Sequence, residues 1–194
     1  MKILHMVPLI NASVGGPSVS VTSLAGAQAR LGHEVTLACL DYDQLGPQVR
    51  VPEGVRLVSQ KGNFLAVHGR GWSPRFARRL EELARGVDVV HDHGLWMWPN
   101  KYARVAAAKA GKPLVISPRG MLEGWSLGRS MVRKAVAWHL FEKRNLESAA
   151  LFHATSESEA EAIATALRMK MKIKEPRIIV APNGVDIPEK VPGR

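Results

Sequence analysis

The chain has 194 residues, of which 46% are hydrophobic, and this is enough for one globular domain or slightly more. Lys and Arg number 27 against 17 Asp and Glu, and the net charge of +10 favours an anionic partner without choosing between a nucleotide, a nucleic acid and an acidic membrane. A single cysteine excludes an internal disulfide and the apolar runs are too short to span a membrane, which together predict a cytoplasmic protein.

Short apolar segments alternate with helical segments from the first residue onward. Strands are predicted at Lys2–Val7, Glu34–Leu40, Arg56–Ser59, Val87–His91, Pro113–Ser117, Leu151–Thr155 and Arg177–Ala181. Helices are predicted at Val19–Leu31, Pro74–Arg85, Asn100–Ala110, Gly128–Ala149 and Glu157–Leu167. This alternation indicates an α/β fold in which a Rossmann-like parallel sheet carries helices on both faces. In such sheets ligands bind beyond the carboxyl ends of the strands, so the residues after each strand are the candidate site residues.

A glycine turn, Gly15-Gly16-Pro17-Ser18, follows the first strand. Glycines let the backbone approach a ligand closely, and proline suits the first turn of a helix. The free N–H groups at a helix start favour a phosphate, although a tight turn without a ligand explains the same residues. The turn lacks the G-x-G-x-x-G fingerprint of dinucleotide binding. Asp41, at the end of the second strand, occupies the place of a ribose-binding acid and keeps an NAD-dependent interpretation open.

Histidines mark the end of the fourth strand. In an extended chain His91 and His93 point the same way and could share a metal ion, but no third or fourth ligand is evident. We expect His91 to be packed or hydrogen-bonded. We place His93, Gly94 and Trp96 in the following loop, where they would contact a polar ligand or the face of a sugar.

Polar residues also follow the fifth and sixth strands. Arg119, beside a glycine at a strand end, is placed to bind an anionic or hydroxyl-rich ligand, and an ordinary surface arginine is the alternative. Ser156 and Glu159 have the spacing of a capping box, which explains both residues without any ligand.

The ordered set of motifs resembles the N-terminal domain of a GT-B fold glycosyltransferase of the retaining family 4 (group 1) type. The motifs are Gly15-Gly16-Pro17, Leu31-Gly32-His33-Glu34-Val35-Thr36-Leu37, His91-Asp92-His93-Gly94, Ser117-Pro118-Arg119-Gly120-Met121, Thr155-Ser156 with Glu159, and Pro182-Asn183-Gly184-Val185-Asp186. The resemblance covers essentially the whole chain. It implies two Rossmann-like domains that face each other across a cleft. The N-terminal domain mainly binds the acceptor, the C-terminal domain mainly binds the nucleotide-sugar donor, and catalysis uses no metal or other cofactor.

The resemblance also divides the chain and implies site residues. Residues 1–182 form the acceptor-side domain and residues 183–194 the start of a hinge and a polar tail, with the C-terminal donor domain outside this chain. The implied donor-phosphate loop is Gly15, Gly16, Pro17 and Ser18. The implied acceptor or sugar contacts are His93, Gly94, Trp96, Arg119, Gly120 and Met121, and the other cleft residues are Ser156, Glu159 and Asn183. Many members carry a histidine near Arg119, and arginine would not accept a proton, so no catalytic residue is assigned.

We therefore expect a domain that helps to move a sugar from a nucleotide-sugar to a glycan or lipid-linked acceptor, and that is inactive alone. A non-catalytic partner subunit of a split transferase is the alternative, and a small Rossmann oxidoreductase is a weaker one. No basic tract is interleaved with aromatic residues, so no nucleic-acid partner is expected. The predicted helix Gly128–Ala149 is mostly apolar with basic ends, so it either docks on the inner face of an anionic membrane or is buried.

Overall fold

Seven strands and six α-helices make up the part of the chain that a computed structural model describes, residues 1–62, 70–123, 131–173 and 175–184. The strands are β1 (Lys2–Leu9), β2 (Glu34–Asp41), β3 (Val55–Lys61), β4 (Val89–His93), β5 (Leu114–Ser117), β6 (Leu151–Ala154) and β7 (Ile178–Val180). The helices are α1 (Gly16–Arg30), α2 (Pro74–Ala84), α3 (Trp98–Ala110), α4 (Met131–Ala137), α5 (Lys143–Glu147) and α6 (Glu157–Met171). A π-helical segment, Trp138–Glu142, joins α4 to α5.

All seven strands pair in parallel in the order β3-β2-β1-β4-β5-β6-β7, which confirms the predicted Rossmann-like sheet. The chain builds outward from β1 to β3 and then returns to add β4 on the other side of β1. The carboxyl ends of β1 and β4 therefore meet where the strand order reverses, and ligands of such sheets bind at this point.

The sheet separates two cores, and β1 and β2 contribute buried residues to both. Leu4 and Ile116 belong to a larger core that includes residues of α2, α3 and α6. Leu37 and Cys39 belong to a smaller core beneath α1, where Cys39 is a buried free cysteine. Helices lie on both faces as predicted, and α1 packs mainly on β2, with further contacts to β1 and β3.

Several element boundaries differ from the predicted ones for local reasons. α1 begins at Gly16 rather than Val19, because Pro17 fits its first turn and the Gly15 backbone ends the preceding loop. The predicted helix over 128–149 is helical from Met131 to Glu147, and its first residues lie outside the described part of the chain. Within the described ranges, no helix is both long and apolar enough to cross a bilayer.

Candidate functional site

The glycine turn lies at the carboxyl end of β1, directly before α1. Gly15 has a φ of 93°, a conformation that glycine adopts without strain, and Pro17 occupies the first turn of the helix. Both glycines are exposed. Apart from the adjacent residues and the backbone of α1 itself, no atom of the described residues lies within 4 Å of where a Cβ would stand at Gly15 or Gly16. The start of α1 is therefore open to solvent, as an anion site at a helix terminus requires.

The connection between β2 and β3 braces the segment before this turn. Asn11 donates from its side-chain amide to the Gly46 carbonyl at 2.6 Å, and the Ser13 hydroxyl donates to the Leu45 carbonyl at 2.7 Å. The Ser18 hydroxyl is buried and donates to the Asn11 carbonyl at 3.0 Å, so it holds the turn rather than pointing at a ligand. Sequence reasoning missed Asn11 because its carbonyl partner lies 35 residues away along the chain.

Asp41, the acid that kept an NAD-dependent interpretation open, is engaged by protein groups. Its carboxylate forms an ion pair with Lys61 at 2.8 Å. It also accepts a longer hydrogen bond from the Asn11 side-chain amide at 3.4 Å. Asp41 therefore helps to fix the connection around the glycine turn.

His93 is the last residue of β4, and the prediction that it lies in a loop is wrong. The strand continues to His93 because this residue pairs with Ser117 of β5. The buried His93 ring stacks on His5 of β1 with 5.1 Å between the ring centroids, and lies 4.1 Å from the ring of His91. Sequence reasoning missed His5. The signal that could have found it is the strand order of the fold, which places β1 beside β4 and His5 opposite His91.

A chain of hydrogen bonds determines which ring nitrogen carries the proton in His93 and in His5. An arginine can only donate, so Arg119 Nη2 donates to Nδ1 of His93 at 3.2 Å. A neutral His93 then carries its proton on Nε2 and donates to Nδ1 of His5 at 2.8 Å. His5 in turn donates from Nε2 to Oε1 of Gln28 at 2.6 Å. One directional chain thus runs from Arg119, through two strands, to α1.

A second chain crosses the same face of the sheet. His153 Nε2 donates to the Ala181 carbonyl at 2.9 Å, which leaves its Nδ1 to accept from the Ser117 hydroxyl at 2.8 Å. The Ser117 oxygen in turn accepts from Nε2 of His91 at 2.8 Å. The prediction that His91 is packed and hydrogen-bonded is confirmed.

Burial is the main cause of the low pKa values in this histidine cluster, which consists of His5, His91, His93 and His153. It lowers the pKa of His5 to about 4 and the pKa values of His91 and His93 well below the ordinary value. Burial lowers the pKa of His153 as well, and the positive charge of Arg119 adds to the effect on all four rings. The rings are therefore neutral at pH 7, as the two chains require.

His5, His91 and His93 have ring nitrogens within 4.8 Å of one another, so the third candidate metal ligand that the sequence did not reveal is present. A histidine that binds a metal usually donates its other ring N–H to an acceptor. With a metal on Nε2, however, His93 would direct its Nδ1–H at the guanidinium of Arg119, which is also a donor and a cation. This donor set suits a hydrogen-bond network around Arg119 better than it suits a metal ion.

Arg119 follows β5 and joins residues that are far apart in the sequence. Its φ of 56° lies in the left-handed region, which is uncommon for a residue other than glycine. Nη1 donates to the side-chain oxygen of Asn183 at 2.8 Å, while Nη2 bonds to His93. Its buried Nε has no hydrogen-bond partner among the residues that the structure describes. Two sequence-predicted site residues, Arg119 and Asn183, are thus brought together.

Ser156 caps α6 as predicted, but Glu159 does not complete the capping box. The Ser156 hydroxyl accepts from the Glu159 backbone N–H at 3.1 Å. The Glu159 carboxylate instead accepts from the N–H of Gly120 and from the N–H and hydroxyl of Thr155, each at 2.7 Å. Burial raises the pKa of Glu159, but these bonds and the charge of Arg119 outweigh it and lower the pKa below its usual value. Glu159 therefore ties the Gly120 loop to the end of β6.

The segment from Gly94 to Trp96 directly follows β4 and is buried. Trp96 is only 4% exposed, with its side chain in the larger core, so its ring is not available in this structure to stack on a sugar as expected. A Cβ on Gly94 would contact the Met121 methyl at 3.4 Å, and the N–H of Leu95 lies 3.1 Å from the Met121 sulfur. Gly94 and Leu95 therefore pack against Met121.

Two buried acids, Asp92 and Glu142, lie on the other face of β4. Asp92 accepts from the Asn100 side chain at 2.8 Å, and Glu142 accepts from the N–H of Trp96 at 2.7 Å. Each has a second, buried oxygen without a partner among the described residues. Burial raises the pKa of Glu142 to about 7 and that of Asp92 well above its ordinary value. Sequence reasoning missed both acids because periodicity does not reveal that a charged residue is buried.

A cavity of about 330 Å³ opens between α1 and the segment that follows β7. Its polar lining includes Ser20, Ser23 and Arg30 of α1, together with His153 and Asn183. The cavity therefore adjoins both hydrogen-bond chains, through His153 in one and through the Arg119 partner Asn183 in the other.

Taken together, this edge of the sheet can bind and stabilise negative charge. The open start of α1 and the guanidinium of Arg119 supply positive potential. The carboxylate of Glu159 is fully engaged and the histidines are neutral and hydrogen-bonded. The described residues at this edge therefore offer anion binding rather than proton transfer.

A family model described as "Glycosyl transferase 4-like domain" matches residues 15–184. The match begins at the glycine turn and ends just after Asn183, so it includes every strand from β2 to β7. No curated protein sequence matches the chain.

Solved structures of two other proteins have a similar fold. HepE from Anabaena in complex with UDP-glucose has a TM-score of 0.64 and 17% identity over 96% of this chain, and its complex with UDP and glucose has a TM-score of 0.61 and 18% identity over the same share. UGT89C1 from Arabidopsis thaliana, complexed with UDP-L-rhamnose, has a TM-score of 0.53 and 12% identity over 97% of this chain. The chain covers 44% and 45% of the HepE chains and 53% of UGT89C1, about half of each. At these identities the similarity shows the fold alone.

Proposed function

Because this chain belongs to the glycosyl transferase 4-like domain family, we propose that it is the acceptor-side N-terminal domain of a retaining GT-B glycosyltransferase. The donor would be a nucleotide-sugar and the acceptor a glycan or a lipid-linked sugar. The UDP-sugars bound to HepE and UGT89C1 support this class of donor. In this proposal residues 1–182 form the acceptor-side domain, residues 183–194 begin a hinge, and a second domain holds most of the donor.

One observation carries the proposal. The open start of α1 and the guanidinium of Arg119 lie at the same edge of the sheet, where the strand order reverses. The phosphates of a nucleotide-sugar need positive groups of this kind, and the neutral histidine cluster fixes Arg119 without adding a competing charge.

The proposed chemistry assigns these groups to the leaving diphosphate. During transfer the bond between the anomeric carbon and the phosphate oxygen breaks and the diphosphate keeps the electron pair. The acceptor hydroxyl bonds to the same carbon with retention, and its proton passes to the departing diphosphate oxygen. Positive groups placed in advance stabilise the charge that develops on the diphosphate. Arg119 stays protonated, so its proposed role is binding and not proton acceptance. The proposal includes no metal and no cofactor.

Gly16→Val tests the role of the glycine turn. Apart from the adjacent residues and the backbone of α1 itself, no atom of the described residues lies within 4 Å of the added Cβ, so the variant should fold normally while its side chain blocks the approach of the phosphates. We expect UDP release from UDP-glucose or another accepted donor to fall about 100-fold or more in the protein that contains this chain and the second domain. Ala12→Val, which adds similar bulk at an exposed position before the turn, is the matched control. Normal turnover by Gly16→Val would show that the turn has no role in donor binding.

Two simpler measurements separate the alternatives. Transfer activity that appears only when a second polypeptide is added would identify the chain as a subunit of a split enzyme, whereas activity that never appears would favour a non-catalytic partner. For an oxidoreductase, titration with NADH monitored by fluorescence should give tight, saturable binding. We expect no saturable NADH binding, because the glycine turn lacks the dinucleotide fingerprint and Asp41 is engaged.

The proposal also includes an anionic membrane surface as a partner. Val132, Val136 and Leu140 follow one another at intervals of four residues along α4 and the π-helical segment, and are 78%, 54% and 56% exposed. Basic residues, among them Arg133 and Lys143, flank this apolar stripe. An exposed apolar stripe with basic flanks is typical of a helix that lies in the membrane interface.

Vesicle binding tests this part of the proposal. The chain should cosediment with vesicles rich in phosphatidylglycerol and not with neutral phosphatidylcholine vesicles. Val136→Asp with Leu140→Asp, and separately Arg133→Glu with Lys143→Glu, should each abolish binding, because the first removes the insertion and the second the electrostatic attraction. Binding that survives both pairs of substitutions would exclude this stripe as the membrane contact.

A further inference from the structure

A groove of about 660 Å³ lies at the edge of the sheet, away from the residues discussed so far. One wall is β3, the edge strand, and the other is the exposed side of α2. Four arginines line it, Arg56 from β3 and Arg75, Arg78 and Arg79 from α2, and we call it the arginine groove. The residues of α2 fall on one side because positions three and four apart share a helix face.

The positive charge of the arginine groove is largely uncompensated. Glu82 is the one acid in its lining, and it pairs with Arg79 at 2.8 Å. Among the described residues, no carboxylate lies within ion-pair distance of Arg56, Arg75 or Arg78. Three like charges that share one groove repel each other, and a bound anion would relieve this repulsion.

The spacing of the positive groups along the arginine groove indicates what kind of ligand fits it. Arg56 and Gln60 both face α2, because they alternate with residues of the opposite face, and they lie about 13 Å apart along the strand. Arg75 and Arg79 add guanidinium groups over about 6 Å of the opposing helix. Positive groups distributed along a groove in this way fit several negative groups on one extended chain better than they fit a single phosphate ion.

The residues that line the groove also favour one class of extended anion over the others. Among the residues that the structure describes, the lining contains no aromatic side chain on which nucleic-acid bases could stack. A groove between a strand and a helix is concave, whereas a bilayer presents a flat surface. Gln60 adds a neutral hydrogen-bonding group beside the guanidiniums, as hydroxyl-rich sugars require.

We propose that the arginine groove binds an anionic glycan, a polysaccharide segment that carries carboxylate or phosphate groups along its length. The guanidiniums of Arg56, Arg75 and Arg78 would each pair with a negative group, and the Gln60 side chain would bond to a sugar hydroxyl. Binding itself does not depend on the transferase function. The further statement that this glycan is the acceptor chain rests on the proposed function.

Binding of defined probes to this chain tests the proposal by calorimetry at low and high salt. The probes are an oligogalacturonate, a neutral dextran oligosaccharide of matched length, polyphosphate, and phosphatidylglycerol vesicles. We expect the oligogalacturonate to bind and the dextran not to bind, with affinity that falls as salt rises. Arg75→Glu with Arg78→Glu should weaken binding about tenfold or more, since two charge-assisted contacts become repulsive. Arg50→Glu with Arg85→Glu, outside the groove lining, makes the same change in net charge and should leave binding nearly unchanged.

Each other outcome overturns the proposal. Equal losses in the two double variants would show attraction to net charge alone. Vesicle binding that Arg75→Glu with Arg78→Glu abolishes, without any binding of the oligogalacturonate, would identify the arginine groove as a lipid surface. Polyphosphate that binds at least about tenfold more tightly than oligogalacturonate would exclude a glycan as the preferred ligand. None of these measurements needs a donor or a second domain, so their failure is distinct from a failure of the transfer assay.

Discussion

The two faces of β4 bury opposite kinds of titratable group within one residue of each other. His93 faces α1 and belongs to the histidine cluster, whereas the adjacent Asp92 faces the larger core and lies near Glu142. Burial is the largest cause of the pKa shift on both faces. It favours the neutral form in each case, so it lowers the pKa values of the histidines and raises those of the acids.

The two faces differ in how completely their polar atoms are paired. The histidine cluster is connected from Arg119 to Gln28 and from His91 to Ala181, with each step a hydrogen bond of defined direction. Asp92 and Glu142 each retain one buried oxygen without a partner among the described residues. A paired network fixes a geometry, whereas a buried polar atom without a partner costs stability. The histidine face thus positions Arg119, and the acidic face carries the cost of its unpaired oxygens.

The largest expected effect is acid destabilisation from the histidine face. Unfolded histidines titrate near pH 6.5, whereas folded His5 stays neutral down to about pH 4, so the unfolded chain binds more protons in this window. The free energy of unfolding should be at its full value above pH 6.5 and fall as the pH decreases toward 4. His5 alone accounts for about 3 kcal/mol, and His91 and His93 act in the same direction. Urea unfolding across this pH range measures the fall, and a constant free energy would mean that these rings are charged in the folded protein.

Glu142→Gln should produce the next largest effect, with the opposite pH dependence. Folded Glu142 keeps its proton up to about pH 7, whereas an unfolded glutamate loses it near pH 4.5, so its contribution to stability falls as the pH rises through this window. Relative to the wild type, the variant should therefore gain about 3 kcal/mol between these two pH values. Glu147→Gln, at an exposed position in α5, is the control and should show no such gain. A gain of equal size in both variants would contradict the assignment to Glu142.

Two side-chain truncations, Asn100→Ala and Gln28→Ala, compare how much the unfolding free energy depends on one side-chain amide on each face of β4. Asn100→Ala removes the donor to Asp92 and the acceptor for the Met97 N–H, both in a fully buried place, and should cost about 2 kcal/mol of unfolding free energy. Gln28→Ala removes one acceptor from His5 at a half-buried place and should cost about 1 kcal/mol. Chemical denaturation of both variants at neutral pH gives the comparison. A larger loss for Gln28→Ala would mean that the histidine face carries more of the stability than its pairing indicates.

The sequence predicted which residues lie at the strand ends better than it predicted which side chains face the cleft. Gly15, Gly16 and Arg119 lie at the carboxyl edge of the sheet as predicted, because the position of a residue relative to its own strand depends on local patterns. Trp96 was placed in the cleft but lies in the core, because a loop residue's direction depends on what packs beneath the loop.

By itself the sequence determined the alternation of strands and helices, the parallel sheet and the position of the glycine turn, since periodicity, turn residues and helix starts act over a few neighbouring residues. Only the tertiary structure decided that His5 joins His91 and His93, that Glu159 leaves its capping role to hold Gly120, and that Asp92 and Glu142 are buried together. These contacts join residues between 39 and 88 positions apart. Their pairing depends on the order of the strands in the sheet and on how the helices pack on it. Neither can be read from a pattern of neighbouring residues.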